Sequence, residues 1–586
     1  MTKFTNIPKS QNLEHKTSVF VRPVLRRGLG VLGTSGLVFG LGMISGTPAL
    51  ATGEIVCTDG AGGNTVEPGA DAAASKSAIE AKLLAGDTVC LDGEFTLPGV
   101  ITFDGNVFIR GTDGSSITST SGGVFFGDMS VGETLDHITI ENLIIENTTD
   151  TAVLAYGVTA RDSVFAANDE GAINGYSVQV SNSDFLGNLG TGISGDNVEV
   201  SNSNFLGNNG GGIDGSNVEV SDSDFSDNLN RAINADSLVV SGSNFRDNFL
   251  GDGDGGAIYV DGSATITNST FEGNVALFGG AVNAGDLVVS NSTFTDNLGI
   301  KGGAIWAGNV DVSNSTFEGN VADIAAEGGA IYAEDSATIT NSTFEGNEAL
   351  YGGAVYAVSV DVSNSTFASN AAVGEGSEGG AIYASSGEVY FSTFLENLAS
   401  DPPLDPEEDT PGNAIYKVGG LQFSLAANIF AGSSAYPQLG FGVSQDPFID
   451  VGGNIFTTSA VTETDIVQED SIFGASLTSL FGTATPALAS NSPNSNGTQT
   501  IALVPGSPAL DIVPFGVFDN NGSPFNSDQR GALRANPADA GAFELGSLAT
   551  TGGGTAPWWA VWYSAAMLAI GGLAVAFGRR IRKQNI

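Results

Sequence analysis

The chain has 586 residues, more than one compact core usually holds. Glycine is abundant at 82 residues and proline ordinary at 19, which signals many turns and excludes a collagen-like period. The formal net charge is −45, and between residues 52 and 578 only ten Lys and Arg stand against 64 Asp and Glu. A surface of that sign repels nucleic acid and anionic membranes and attracts cations.

Residues 1–51 read as a secretory signal peptide. Basic residues up to Arg27 precede an apolar, Gly-rich run, and Ala49-Leu50-Ala51 supplies a small-x-small cleavage pattern. In an exported chain the only two cysteines, Cys57 and Cys90, are candidates for one disulfide. Residues 52–95 form an N-terminal cap. Its apolar stripe of Ile79, Leu83 and Leu84 predicts a short amphipathic helix that covers the open end of the repetitive body.

That body, 96–460, is built from one recurring pattern. "NSTFEGN" occurs three times, starting at Asn268, Asn314 and Asn341. The broader pattern Ser-x-Phe-x-x-Asn places Phe at 185, 205, 225, 245, 271, 294, 317, 344, 367 and 394. The partner Asn stands at 188, 208, 228, 248, 274, 297, 320, 347, 370 and 397, and Phe165 and Asn168 belong to the same series. A self-similar period of 20 to 27 residues marks a solenoid. Short β-branched runs such as Val198-Glu199-Val200 alternate with period two, and no segment has helical periodicity. The expected fold is all-β, a single-stranded right-handed parallel β-helix of about 14 coils with three short strands each. Residues kept at one coil position stack on their copies, so Phe185, Phe205, Phe225, Phe245, Phe271, Phe294, Phe317, Phe344, Phe367 and Phe394 build an aromatic column. Asn188, Asn208, Asn228, Asn248, Asn274, Asn297, Asn320, Asn347, Asn370 and Asn397 are expected at corners. There Asn tolerates left-handed backbone and bonds to stacked neighbours, while Ser satisfies backbone groups beside the bend.

The paired "GGA[I/V]" and "FxxN" elements, the former at Gly255–Ile258, Gly279–Val282, Gly302–Ile305, Gly328–Ile331, Gly352–Val355 and Gly379–Ile382, resemble the repeats of chlamydial polymorphic outer-membrane proteins. That resemblance implies an adhesin-like surface β-helix, although a C-terminal β-barrel signature is missing. Residues 461–546 close the domain. Within them "PGSPALD", "DQRG" and "DAGAFE" resemble the end of choice-of-anchor Q domain proteins, surface β-helices without assigned catalytic residues. After a linker (547–557), Trp558 to Phe577 carries no charge and is long enough to span a bilayer as a transmembrane helix (558–578). The basic tail 579–586 orients it with the tail in the cytoplasm. Leu548-Ala549-Thr550-Thr551-Gly552 resembles a sortase sorting signal. By that resemblance a sortase cleaves after Thr551 and joins it to cell-wall peptidoglycan.

Chain length between the repeat Asn and the next "GGA" varies, from "VALF" after Asn274 to "LASDPPLDPEEDTP" after Asn397. These segments read as loops along one edge, where repeat proteins often bind a glycan or protein ligand. Asp323, Glu327, Glu375, Glu378, Asp405, Glu407, Glu408 and Asp409 make the edge acidic and a candidate for Ca2+. Asp252 and Asp254 in "GDGDGG" have calcium-like spacing but lack the remaining ligands of an EF-hand, so a turn is expected.

An enzymatic reading, polysaccharide lyase or glycoside hydrolase, has less support. His137 is the one mature His, and Arg161, Arg231 and Arg246 are the only Arg between residues 161 and 415. Asp224 with Asp227, or Asp247 near Arg246, are the available acid–base pairs. The reading favoured by sequence is a non-enzymatic cell-surface protein that binds through its edge loops. A passive spacer is the third reading.

Overall fold

The structure is a computed structural model. It describes Cys57, residues 65–84, 88–127, 136–400 and 412–432, and shorter segments between 437 and 543. The expected signal peptide (1–51), sorting motif (548–552), membrane span (558–578) and tail lie outside the described residues. Among the described residues, no helix is long and apolar enough to cross a membrane.

The chain winds into a parallel β-helix. Each strand pairs in parallel with its equivalent one coil before and one coil after. The three sheets hold 22, 17 and five strands among the described residues. Seventeen stacked strands in the second sheet make sixteen turns, two more than expected. The missed turns lack the repeat spelling. Phe95, Ile117 and Ile145 occupy the Phe position ahead of Phe165, and Phe430, Phe456 and Phe473 continue it after Phe394. The strands therefore run beyond both limits of 96–460.

The Phe column lies at the centre of the core. Rings from Phe165 to Phe473 stack coil on coil, with centroids 4.6–5.2 Å apart. Beside them runs a ladder of buried Asn amides. Asn208 Nδ2 donates to Asn228 Oδ1 (3.0 Å) and to the Phe185 carbonyl (3.0 Å), while Asn208 Oδ1 accepts the Asn188 backbone N–H (3.1 Å). The Ser position repeats the device. Ser203 Oγ donates to the Ser201 carbonyl (2.8 Å) and accepts the Ser183 N–H (3.1 Å). The Ser and Asn ladders thus supply partners to the backbone groups of these bends, which a buried corner requires.

Two expectations are corrected. The left-handed residues are not the ladder Asn. They are the residues just before it, such as Gly207, Asp227 and Gly319, and the Asn or Asp opening the "NST" bend, such as Asn202, Asn268 and Asn314. The ladder Asn itself must point inward to reach its neighbours, which leaves the conformational strain to its exposed predecessor. The three strands per coil are also divided differently. The "IYV" of "GGAIYV" and the following β-branched run form one long strand, Ile258–Thr267, and its counterpart in a 20-residue coil is Thr191–Ser201. Asp261-Gly262 separates the halves, yet the strand continues through them with a register shift between Val260 and Ser263. The third sheet comes from the segments read as loops: Leu298–Lys301, Val321–Glu327, Glu348–Ala349, Ala371–Ala372 and Leu398–Ala399. Their inward residues are small, and Ala322, Ala326 and Ala349 form a buried cluster.

At the N-terminal end the helix Ala72–Leu84 packs Ile79 and Leu83 against the first coils. Cys57 and Cys90 are joined in a disulfide. The closing segment lies along the wall of the solenoid, over the outer face of the second sheet. Gln529 Nε2 donates to Thr343 Oγ1 (2.9 Å), and Thr366 Oγ1 donates to Gln529 Oε1 (2.6 Å). Arg534 bonds Asn364 Oδ1 (2.8 Å) and stacks 4.1 Å from the Phe391 ring centre. Leu480, Phe481, Ile501, Leu503 and Val513 complete this second core.

Candidate functional site

The residues expected to form ladders are all structural. Phe185 to Phe394 and Asn188 to Asn397 are buried in the core. The three arginines do not converge. Arg161 ends a first-sheet strand, Arg246 pairs with Glu272 on the second sheet, and Arg231 lies over the Tyr259 ring. Asp227 and Asp247 are exposed left-handed corners, while Asp224 points outward and accepts from Asn244 Nδ2 at 2.6 Å. His137 lies over Gly157, with Nε2 3.0 Å from Thr159 Oγ1, and burial pushes its pKa down. Asp252 and Asp254 sit in a turn. Among the described residues, no group of three His, Cys, Asp or Glu could hold a metal ion. Of the acidic edge, Asp405, Glu407, Glu408 and Asp409 lie outside the described residues.

What the structure does assemble at the edge is an outward aromatic column. The residue after each "GGA[I/V]" occupies one register position: Tyr259, Asn283, Trp306, Tyr332, Tyr356, Tyr383 and, after "GNAI", Tyr416. Trp306, Tyr332, Tyr356 and Tyr383 are half-buried and nearly parallel, with centroid steps of 6.4, 5.0 and 4.9 Å. Tyr416 is buried and continues the stack at 5.3 Å.

The glycine pair ahead of the column makes this junction. At Gly302 φ is +61°, and a Cβ would strike the Ile305 carbonyl oxygen. At Gly303 a Cβ would strike the carbonyl oxygen of Gly329 in the next coil. The Gly pair lets the third sheet turn this tightly into the first. The turn sets the neighbouring column, Phe278, Lys301, Glu327, Tyr351 and Glu378, beside the aromatic one. Lys301 is ion-paired with Glu327, and its Nζ lies 4.7 Å from the Tyr332 ring centre. Burial pulls the Lys301 amine down, but Glu327 outweighs it and holds the pKa above the ordinary value. Tyr351 tilts over Tyr383 at 5.4 Å. Burial, then the Glu378 charge, pushes the Tyr383 hydroxyl far up, and burial, then Glu327, raises Tyr356. These phenols stay protonated donors at any physiological pH.

Sequence reasoning found this edge through its variable lengths and missed its chemistry. Alignment on Phe hides the column, because coils of unequal length throw it out of step. Alignment on "GGA" would have shown it.

A second feature is an open groove of about 540 Å³ on the second sheet of the 20-residue coils. Asp184, Asn204, Asp224 and Asn244 line it, hydrogen-bonded in Asn-to-Asp pairs at 2.6–2.7 Å, with Leu186, Leu206 and Arg246 beside them. Farther along, the same sheet face is the one covered by the closing segment.

Residues 233–395 match the family model described as "Right handed beta helix region". The fold is a right-handed parallel β-helix. No curated protein matches it in sequence. Solved structures similar to it include the catalytic unit of a thermostable GH87 α-1,3-glucanase from Streptomyces thermodiastaticus strain HF3-3, with 15% identity, 67% of each chain covered and a TM-score of 0.31. A PL6 alginate lyase in complex with a trisaccharide shares 13% identity over 75% of this β-helix protein and 91% of that chain, with a TM-score of 0.29. PfbA, a surface adhesin of Streptococcus pneumoniae, shares 10% identity over 64% of this chain and 91% of its own, with a TM-score of 0.29.

Proposed function

We propose that this β-helix is a non-enzymatic, surface-displayed binding protein that holds a glycan or protein ligand on its aromatic edge. The observation that carries the reading is the column Trp306, Tyr332, Tyr356 and Tyr383, set beside Lys301, Glu327, Tyr351 and Glu378. Outward aromatic rings with polar rims are characteristic of recognition surfaces, and a buried core does not require them. In this reading residues 1–51 direct export. A sortase joins Thr551 to peptidoglycan, or the span 558–578 retains the chain in the membrane with its basic tail inside.

The test uses cells that display the full chain. They are incubated with polysaccharides and matrix proteins, and retained ligand and newly formed saccharide ends are read in the same wells. Retention without product, lost in a Trp306→Ala/Tyr356→Ala variant, is the expected result. Time-dependent new ends would contradict it and direct attention to Asp184 and Asp224 in the open groove. For the anchor, Thr551→Ala is expected to move the protein from the wall fraction to the membrane fraction.

A further inference from the structure

We infer that the ligand of this edge is an extended, uncharged polysaccharide that lies parallel to the solenoid axis with one sugar unit to each coil. The inference rests on the proposed binding role of the edge and adds the ligand's chemistry and direction.

The first argument is geometric. Trp306, Tyr332, Tyr356 and Tyr383 stack with interplanar angles of 5°, 8° and 8°. Their faces are taken up by one another, so solvent meets ring edges and a row of phenol hydroxyls. The tyrosine rings that carry them, Tyr332, Tyr356 and Tyr383, recur at the coil step, with centroids 5.0 and 4.9 Å apart. A ligand that uses all of them must be linear and must repeat at that step. A pyranose polymer in its extended form does so, since one ring and one linkage span about one strand spacing. An extended peptide advances about 3.3 Å per residue and falls out of register after one coil.

The second argument is charge. Glu327 and Glu378 flank the phenols, and the amine of Lys301 is already paired with Glu327. The chain outside its termini is strongly acidic. A polyanion such as a uronate chain would be repelled along its whole length. Neutral sugar hydroxyls fit both rows, because they donate to carboxylates and accept from phenols kept protonated by burial.

The column also has ends. Asn283 interrupts it before Trp306, and Tyr416 is buried after Tyr383. Four half-buried rings, three of them with a phenol hydroxyl, therefore define four subsites.

The experiment takes the full chain in detergent and measures its affinity for neutral 1,4-linked glucan and mannan oligomers of increasing length, beside an oligouronate of matched length. Affinity is expected to rise with length up to about four units, one per ring from Trp306 to Tyr383, and then to level, with the uronate at least about ten-fold weaker. The variant Tyr332→Phe/Tyr356→Phe/Tyr383→Phe keeps the stack and removes only the hydroxyls. It is expected to bind about ten-fold more weakly with an unchanged melting temperature. Equal binding by the uronate, equal binding by the triple-Phe variant, or no length dependence would each overturn the inference. If a matrix protein is held in an edge-dependent way and no glycan is, the glycan assignment fails while the edge remains a binding surface. If nothing bound depends on the edge, both readings fail.

Discussion

The coils of 20 residues, from Phe165 to Phe245, and those of 23 to 27 residues, from Phe271 to Phe394, share one interior and differ in their exterior. Both stack Phe on Phe and bond Asn to Asn at the same distances. In the short coils the chain passes from Asn188 to the next strand at Thr191 almost at once. The long coils insert a third sheet and a Gly-Gly turn there. The outward column that reads Asn174, Ser194, Asp214 and Asn234 in the short coils becomes Trp306, Tyr332, Tyr356 and Tyr383 in the long ones. The residues that lengthen a coil leave its core unchanged and build a surface. Stability and recognition therefore sit on different ladders of the same solenoid.

The strongest way to break this comparison is to cut the shared interior in each region. Phe205→Ala in a short coil and Phe317→Ala in a long one should each cost about 4 kcal/mol, the ordinary loss for emptying a fully packed aromatic site. Equal shifts in the denaturation midpoint would support one common core. A clearly milder loss at Phe317 would mean that the third sheet carries part of the load. Next in size are Asn208→Ala and Asn320→Ala, each expected to cost about 3 kcal/mol, because the change orphans a backbone N–H, an amide and a carbonyl in a dry corner. Hydrogen exchange at the flanking coils reads that loss locally, as expected for a nearest-neighbour solenoid.

Alkaline titration separates the two regions. Lys301, Tyr356 and Tyr383 all have raised values in the folded state. The stability they contribute is complete below their ordinary pKa values and is lost as pH rises through the folded ones. Hydrogen exchange above about pH 10 should therefore loosen the long coils before the short ones. Simultaneous loosening would contradict the assignment. The smallest effect concerns Glu345, raised by burial and then by Glu318, its register partner one coil away. That stability too is present below the ordinary carboxyl pKa and lost as pH rises through the raised one. Acidification from about pH 7 to 5 should raise the melting temperature slightly, and Glu345→Gln should remove the dependence.

The interior was legible because it repeats. Phe, Asn and Ser recur with fixed offsets, and stacking turns an offset into a ladder. Where the spelling changed, at Ile117, Ile145, Phe430 and Phe456, turns were missed, although the packing position was the same. The left-handed corner was misplaced by one residue, since Asn is a good left-handed residue in general and only the inward hydrogen bonds of Asn208 show that it is committed elsewhere. The third sheet read as loops because its strands are as short as Glu348–Ala349 and bury only Ala. The role of "DQRG" in the closing segment was illegible for another reason. Gln529 meets Thr343 and Thr366 more than 150 residues away, and no local pattern encodes that distance. The Tyr column stood in plain sight after each "GGA[I/V]", but it becomes a surface only once the coil register is known.

The central claim is that the recognition surface belongs to the long coils alone. The most direct measurement is hydrogen exchange of the full chain with and without a saturating neutral oligosaccharide. The account predicts protection confined to the third sheet and to the column between Lys301 and Tyr416. Protection of the groove lined by Asp184, Asn204, Asp224 and Asn244, with none at Tyr332 to Tyr383, would contradict it.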